Sequence, residues 1–332
     1  MNKDIVFEIR DLRTWFPIRK GLFKRHAGDV KAVDQLSLTV YRGETLGIVG
    51  ESGCGKSTLG KSIMRLVPPT GGEVLFNSGG NMRDVMQFNT QELFQFRKQV
   101  QMVFQDPYSA LNPIKRVYDS FSDPLKVHGC RDPEERQKRI EDVLHLVNIQ
   151  PDYLMRFPHE FSGGQRQRLC IARALSVRPD VLVCDEPVSA LDVSIQAQVL
   201  NLMKDIQKEL HLSIIFIAHD LSVVQYMSDR IAVMYLGKIV ELADAEELYS
   251  NTWHPYTQAL LSAIPVPDIH HIQNRDVLKG EVPSPINKPA GCAFRTRCRH
   301  CMEICRNEEP ALREYGGQGH MVACHLFQKG AG

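Results

Sequence analysis

Residues Gly50-Glu-Ser-Gly-Cys-Gly-Lys56-Ser57-Thr58 constrain this chain more than any other stretch. They fit G-x-x-x-x-G-K-[ST], a pattern that cradles phosphate when it sits between a strand and a helix. Both flanks are present. Thr45-Leu-Gly-Ile-Val49 is a short apolar run ending at Gly50, as expected of a buried parallel strand, and a helical stretch follows from Lys56 to Leu66. Gly50, Gly53 and Gly55 let the backbone curl so that its N–H groups face the phosphates. The helix N-terminus adds partial positive charge. Lys56 is expected to reach the β- and γ-phosphates and Ser57 to hold Mg²⁺. Ser52, Cys54 and Thr58 complete the loop. Without those flanks, the same letters would describe a glycine-rich turn carrying a surface lysine.

Strands and helices alternate further along. Val181-Leu-Val-Cys184, Ser213-Ile-Ile-Phe-Ile-Ala218 and Ile231-Ala-Val-Met-Tyr235 read as buried strands, and Ser194–Leu210 as a helix. That order predicts a parallel sheet covered by helices on both faces. Val30–Val40 alternates as a half-buried strand does. Residues 107–175 have another texture. Arg131–Val147 is charged and then helically periodic, with Pro133 and the following acids suited to a first turn. We read 107–175 as a mostly helical insertion. After residue 265 the prolines at 265, 267, 283, 285 and 289 mark a loop-rich linker. The expected division is a body over 1–265 and a C-terminal extension over 266–332.

Composition narrows the function. With 40 basic and 39 acidic residues the net charge is +1. This argues against a strongly basic nucleic-acid binder and against an acidic disordered chain. The apolar runs fall well short of the roughly 18 residues that cross a bilayer. The N-terminus interrupts its apolar residues with charges, unlike a signal peptide. The expectation is a cytosolic protein that reaches a membrane only through a partner.

Other polar residues sit at strand ends. Asp185 and Glu186 close the strand at 181–184. Asp185 can reach the shell of a Mg²⁺ ion and Glu186 can polarise an attacking water as a general base. Taken alone, two acids there also fit a solvated loop. His219 follows the strand at 213–218, where a γ-phosphate contact or a structural role are both open. Gln105 follows Val103-Phe104 and can ligate the metal or hold water. Phe161-Ser-Gly-Gly-Gln165 precedes a helical pattern over Arg166–Leu175. Ser162, Gly163, Gly164 and Gln165 there form either a second anion site or an ordinary N-cap with a tight turn. Two phosphate-type sites in one chain point to two chains sandwiching the nucleotide.

Together these motifs resemble the ATP-binding subunit of ABC transporters. Phe161–Gln165 looks like that family's signature, Ser189-Ala-Leu-Asp192 like its dimer-contact loop, and Gln105 and His219 like its glutamine loop and histidine switch. Phe104-Gln-Asp-Pro-Tyr-Ser-Ala-Leu-Asn-Pro113, His254-Pro-Tyr-Thr-Gln-Ala-Leu-Leu261 and the tail from Gly280 to Cys324 are similar to the oligopeptide/dipeptide importer subfamily. The resemblance implies an α/β fold: a P-loop ATPase core on a mostly parallel sheet, an antiparallel β subdomain, a helical insertion and a cysteine-rich extension. It implies ATP and Mg²⁺ as ligands and peptide import driven by hydrolysis. Lys56, Ser57, Gln105, Asp185, Glu186 and His219 would act on one nucleotide, and Ser162, Gly163, Gly164 and Gln165 on the partner subunit's. Implied partners are two transmembrane permease subunits, a second, non-identical ATPase and an external solute-binding protein. The place implied is the cytoplasmic face of the inner membrane. The segment from Gln105 to about Val127 would receive the membrane subunit. Another solute, such as oligosaccharide or nickel, is the alternative. A soluble ATPase acting on ribosomes or DNA is a further one. Phe16 and Phe23 are candidates for stacking on adenine.

Of nine cysteines, Cys292, Cys298, Cys301, Cys305 and Cys324 crowd the C-terminal end. In a reducing compartment such a cluster reads as a metal site before it reads as disulfides. Cys292, Cys298, Cys305 and Cys324 are similar to the tail of peptide-importer ATPases that carry a [4Fe–4S] cluster. Cys301 is an alternative ligand, and structural Zn²⁺ is the alternative metal, with His300, His320 and His325 nearby in sequence. Cys54, at a helix start, is either a thiol with lowered pKa or a tolerated small residue. Cys170 and Cys184 lie in apolar patterns and read as core.

Overall fold

β1 (Ile5–Lys20) begins with Phe7 and Ile9 turned inward and then changes face. Its register against the strand carrying Val74 and Phe76 shifts between Arg10 and Arg13, and Asp11 lies at φ 48°. The bulge moves burial from odd positions to Leu12 and Thr14. The computed structural model describes residues 4–20, 25–264, 278, 280–317 and 319–328. These group into two units. One is built on Tyr41–Glu44 and Gln87–Ile217, the other on Ile5–Val40, Thr45–Met86 and the described residues from Ala218 onward.

In chain order, β1 is followed by β2 (Arg25–Tyr41), β3 (Thr45–Val49), α1 (Lys56–Ile63), β4 (Gly71–Ser78) and β5 (Asn81–Asp84). Next come α2 (Thr90–Gln99), β6 (Val100–Val103), α3 (Pro107–Ala110), α4 (Val117–Val127), α5 (Pro133–Leu146) and α6 (Gly163–Leu175). Then follow β7 (Val181–Asp185), α7 (Val193–Leu210), β8 (Ser213–Ile217), α8 (Leu221–Met227), β9 (Arg230–Tyr235), β10 (Lys238–Asp244), α9 (Ala245–Ser250) and α10 (Pro255–Ser262). The extension contributes α11 (Ile304–Asn307), β11 (Arg313–Glu314), β12 (Met321–Val322) and α12 (His325–Gln328).

Between Pro107 and Leu175 lie α3, α4, α5 and α6. Asp132 caps α5 by accepting the Glu134 and Glu135 N–H groups, with Pro133 in the first turn. β6, β7 and β8 run parallel, and all five residues of β7 and of β8 are buried. Buried on both faces, these strands are continuous apolar runs rather than alternating ones.

In the other unit, β2, β1, β4 and β5 form a sheet in that order, with β1–β4 and β4–β5 antiparallel. β3 pairs parallel with β9, β9 antiparallel with β10, and β10 antiparallel with β12. The extension therefore adds β12 and then β11 to this run of strands. Beneath β12, Glu241 of β10 is fully buried and accepts His320 Nε2 at 2.9 Å and the Trp253 N–H at 2.7 Å. A buried carboxylate with these partners is not left as an uncompensated charge.

Candidate nucleotide site and the cysteine-rich extension

The phosphate loop leaves β3 at its buried end. Gly50, Gly53 and Gly55 adopt φ of 153°, 78° and 108°. A Cβ on Gly55 would lie 2.0 Å from the Ala32 carbonyl oxygen, and one on Gly50 would lie 2.2 Å from that of Met234. Both neighbours are backbone, so any other residue would unseat the loop. α1 has Gly55 at its N-cap, no side-chain cap and no acid in its first turn. The positive end of the helix dipole there favours an anion. Lys56 is 4% exposed and donates to Gly50 O at 2.7 Å and Glu51 O at 3.1 Å. Ser57 and Thr58 are half-buried on the first turn, while Ser52 and Gly53 are exposed at the loop tip.

Cys54 takes the second of its two sequence readings. Its thiol is 3% exposed, and burial pushes its pKa up despite Lys56 nearby. The helix N-terminus does not offset that desolvation. Labelling with a thiol reagent under native conditions is expected to be far slower at Cys54 than at exposed Cys301, as read by mass spectrometry. Equal rates would contradict it. Cys170 and Cys184 are buried, and desolvation pushes the Cys170 thiol up to about 11.

In the other unit, register sets a polar pair. Val103 of β6 lies opposite Cys184 of β7. Two residues beyond each, Gln105 and Glu186 emerge side by side, and Gln105 Nε2 donates to Glu186 Oε2 at 2.8 Å. Glu186 lies at φ 48°, a left-handed conformation costing roughly 1–2 kcal/mol for an ordinary residue. The Glu186 N–H to Ile217 O bond at 2.9 Å, and the Ser189 hydroxyl donating to Glu186 O at 3.0 Å, hold that turn. Backbone strain of this kind concentrates at functional sites. Asp185 ends β7 at 3% exposure. His219 is exposed ahead of α8, whose N-cap is Asp220.

Ser162 caps α6. Its Oγ accepts the Gln165 N–H, and Gln165 Oε1 accepts the Ser162 N–H. That reciprocal box caps the helix and keeps the exposed Ser162 at its mouth. Gly164 is required by packing, because a Cβ there would meet Ile195 Cγ2 of α7 at 2.4 Å. Gly163 lies against Leu191 of the 189–192 loop. An open groove of about 750 Å³ is lined by Tyr108, Asn112, Pro113, Lys115, Asp123 and Arg173. Beside it Tyr108 is 61% and Ile114 82% exposed.

The four cysteines of the expected cluster share one neighbourhood. Cys292 N–H donates to Cys305 O at 2.9 Å. Burial pushes the Cys292 thiol up to about 12, and the nearby Cys305, Cys324 and Cys298 thiols push it the same way. The N–H groups of Phe294, His300 and Leu326 oppose this at Cys292, Cys298 and Cys324, each bonding the sulfur two residues back. Such N–H···S bonds stabilise thiolate over thiol. Cys301 is exposed and contacts Met302 O. His320 and His325 are engaged by Glu241 and by Glu308 O. Among the described residues, no group of three or more His, Cys, Asp or Glu side chains is drawn together as a formed metal site. The donor set fits a four-thiolate group better than a mixed Cys/His one. Of the adenine candidates, Phe16 is 41% exposed on β1, and Phe23 lies outside the described residues.

Sequence reasoning missed Tyr256 and Arg297, which both touch Glu51 of the phosphate loop. They lie 205 and 246 residues away, so no local pattern could mark them.

Fold and loop together define an ABC-type ATPase. The ABC transporter family profile matches residues 33–189, and the profile for the oligopeptide/dipeptide transporter C-terminal region matches 240–305. The oligopeptide transport ATP-binding protein AppF of Bacillus subtilis is 51% identical over 329 residues, 98% of each chain. Among solved structures, cbiO1 of Clostridium perfringens, part of the transporter complex cbiONQ, superposes with a TM-score of 0.62. That match has 27% identity and spans 75% of this chain and 92% of the other. The ATP-binding cassette MJ0796, dimeric and bound to ADP and phosphate, also gives 0.62, at 26% identity over 72% and 98%. This chain belongs to the ABC transporter ATP-binding proteins of the oligopeptide/dipeptide group. Among the described residues, no helix is long and apolar enough to cross a membrane.

Proposed function

We propose that this chain hydrolyses ATP to energise uptake of oligopeptides or dipeptides through a membrane ABC transporter. The observation that carries this reading is the pairing, in one chain, of an uncapped phosphate loop with the oligopeptide/dipeptide C-terminal region. Lys56 and the first amides of α1 bind the phosphates. Ser57, Gln105 and Asp185 hold Mg²⁺, which neutralises charge on the β- and γ-phosphates when bound. Glu186 takes the proton of the attacking water, Gln105 orients the Glu186 carboxylate, and His219 contacts the γ-phosphate. The body over 1–265 carries this chemistry.

Ser162, Gly163, Gly164 and Gln165 act on the nucleotide of a second, non-identical ATPase subunit closed head to tail on this one. Two permease subunits complete the membrane assembly, at the cytoplasmic face of the inner membrane, and an external binding protein delivers the peptide. The Gln105–Val127 stretch, which lines most of the groove, receives a permease segment. Tyr108, 61% exposed, and Ile114, 82% exposed, give this stretch apolar surface for such a contact. In the extension over 266–332, Cys292, Cys298, Cys305 and Cys324 hold a [4Fe–4S] cluster with a structural role. Anaerobically prepared protein is expected to carry stoichiometric iron and sulfide. Zinc in their place, or neither, would overturn the cluster.

The function is tested by affinity capture from detergent-solubilised native membranes, with partners identified by mass spectrometry. Two membrane subunits and a second ATPase are expected. Recovery of ribosomal or DNA-associated proteins alone would overturn the transport reading.

A further inference from the structure

The extension reaches the phosphate loop through one short segment of its own. Between Cys292 and Cys298, Arg297 sets both terminal nitrogens on the Glu51 carboxylate, at 2.6 and 2.9 Å. The Arg297 side chain is only 6% exposed. A forked guanidinium–carboxylate contact fixes direction as well as distance.

Glu51 is the first residue after Gly50, and its other polar groups are committed too. Its N–H donates to the Tyr256 hydroxyl at 2.9 Å. Its carbonyl accepts Lys56 Nζ at 3.1 Å and the Cys54 N–H at 3.2 Å. One residue thus joins the Lys56 ammonium to the extension. Phe294, from the same segment, is buried against Tyr235 and Tyr256, with ring centroids 5.3 and 5.4 Å away.

We propose that Arg297 is a positioning residue of the nucleotide site: through Glu51 it preorganises the phosphate loop, so that the C-terminal extension sets the affinity for MgATP. A loop rich in glycine loses more backbone freedom on ordering than other loops do. If nothing holds it, that cost falls on ligand binding. With Arg297 in place, the cost is met when the chain folds. The inference rests on Gly50–Thr58 being the MgATP loop.

The test uses the assembled transporter and MgATP. Arg297→Met removes the charge and keeps much of the volume. KM for MgATP is expected to rise about tenfold, equivalent to roughly 1.4 kcal/mol, while kcat changes less than threefold. Glu51→Gln should give the same rise, and the double variant no further rise, because both break one contact. Arg297→Lys, which keeps charge without the fork, should fall between. If Arg297→Met does not assemble, Arg297→Lys and Glu51→Gln supply the same comparison. KM within twofold of wild type in these variants, additive effects, or a loss confined to kcat would each overturn the clamp. Lys56→Ala is the reference. If it raises KM while the others do not, the clamp alone fails. If it too leaves KM unchanged, the loop is not the MgATP site and both readings fall.

Discussion

Glu186→Gln is expected to leave MgATP bound to the assembled transporter while cutting phosphate release at least a hundredfold. Removing a positioned general base costs about 10²–10⁴ in rate. The substitution is selective for local reasons. Glutamine fills the same volume and meets the same left-handed backbone at φ 48°, so the strain is unchanged. Its amide oxygen can still accept from Gln105 Nε2, which bonds Glu186 Oε2 at 2.8 Å. What disappears is the capacity to take a proton from water. Phosphate release and nucleotide retention, measured on one preparation, separate the two effects. Turnover at the wild-type rate would remove Glu186 from the role of base.

Lys56→Ala is expected to act on binding instead, weakening MgATP affinity by one to two orders of magnitude. The buried ammonium bonds the Gly50 and Glu51 carbonyls. With a phosphate present it also supplies a charge-assisted contact to the anion. Hydrogen bonds to charged groups are worth about 1.5–3 kcal/mol, and the truncation leaves two carbonyls without that donor. Titration calorimetry on the full chain reads the change directly. Affinity within threefold of wild type would mean that Lys56 does not face the phosphates.

Much of this was legible in the sequence, because the informative signals are local. The apolar run of β3, the loop and the start of α1 are contiguous, and the buried runs of β7 and β8 stand out without reference to partners. The acids after Pro133 mark the start of α5 in the same way. Ser162 and Gln165 have the spacing of a capping box, yet a cap and an anion site share those letters, and the structure shows the cap.

What the sequence concealed depends on distance in the chain or on backbone state. Nothing near Asp11 announces that β1 changes face there. Glu186 is named by its motif, but its left-handed turn comes from bonds to Ile217 and Ser189. Cys54 reads two ways until its burial is known. Arg297 lies among the cysteines and draws attention to them rather than to Glu51, which the fold brings to it across 246 positions.

ATP hydrolysis by this chain drives peptide import. It is tested most directly by reconstituting the chain in liposomes with the membrane components it is captured with and following uptake of labelled peptide. Uptake is expected to require MgATP on the opposite side and to vanish with Glu186→Gln. Peptide uptake at the same rate without ATP, or ATP-driven uptake of another solute with none of peptide, would contradict it.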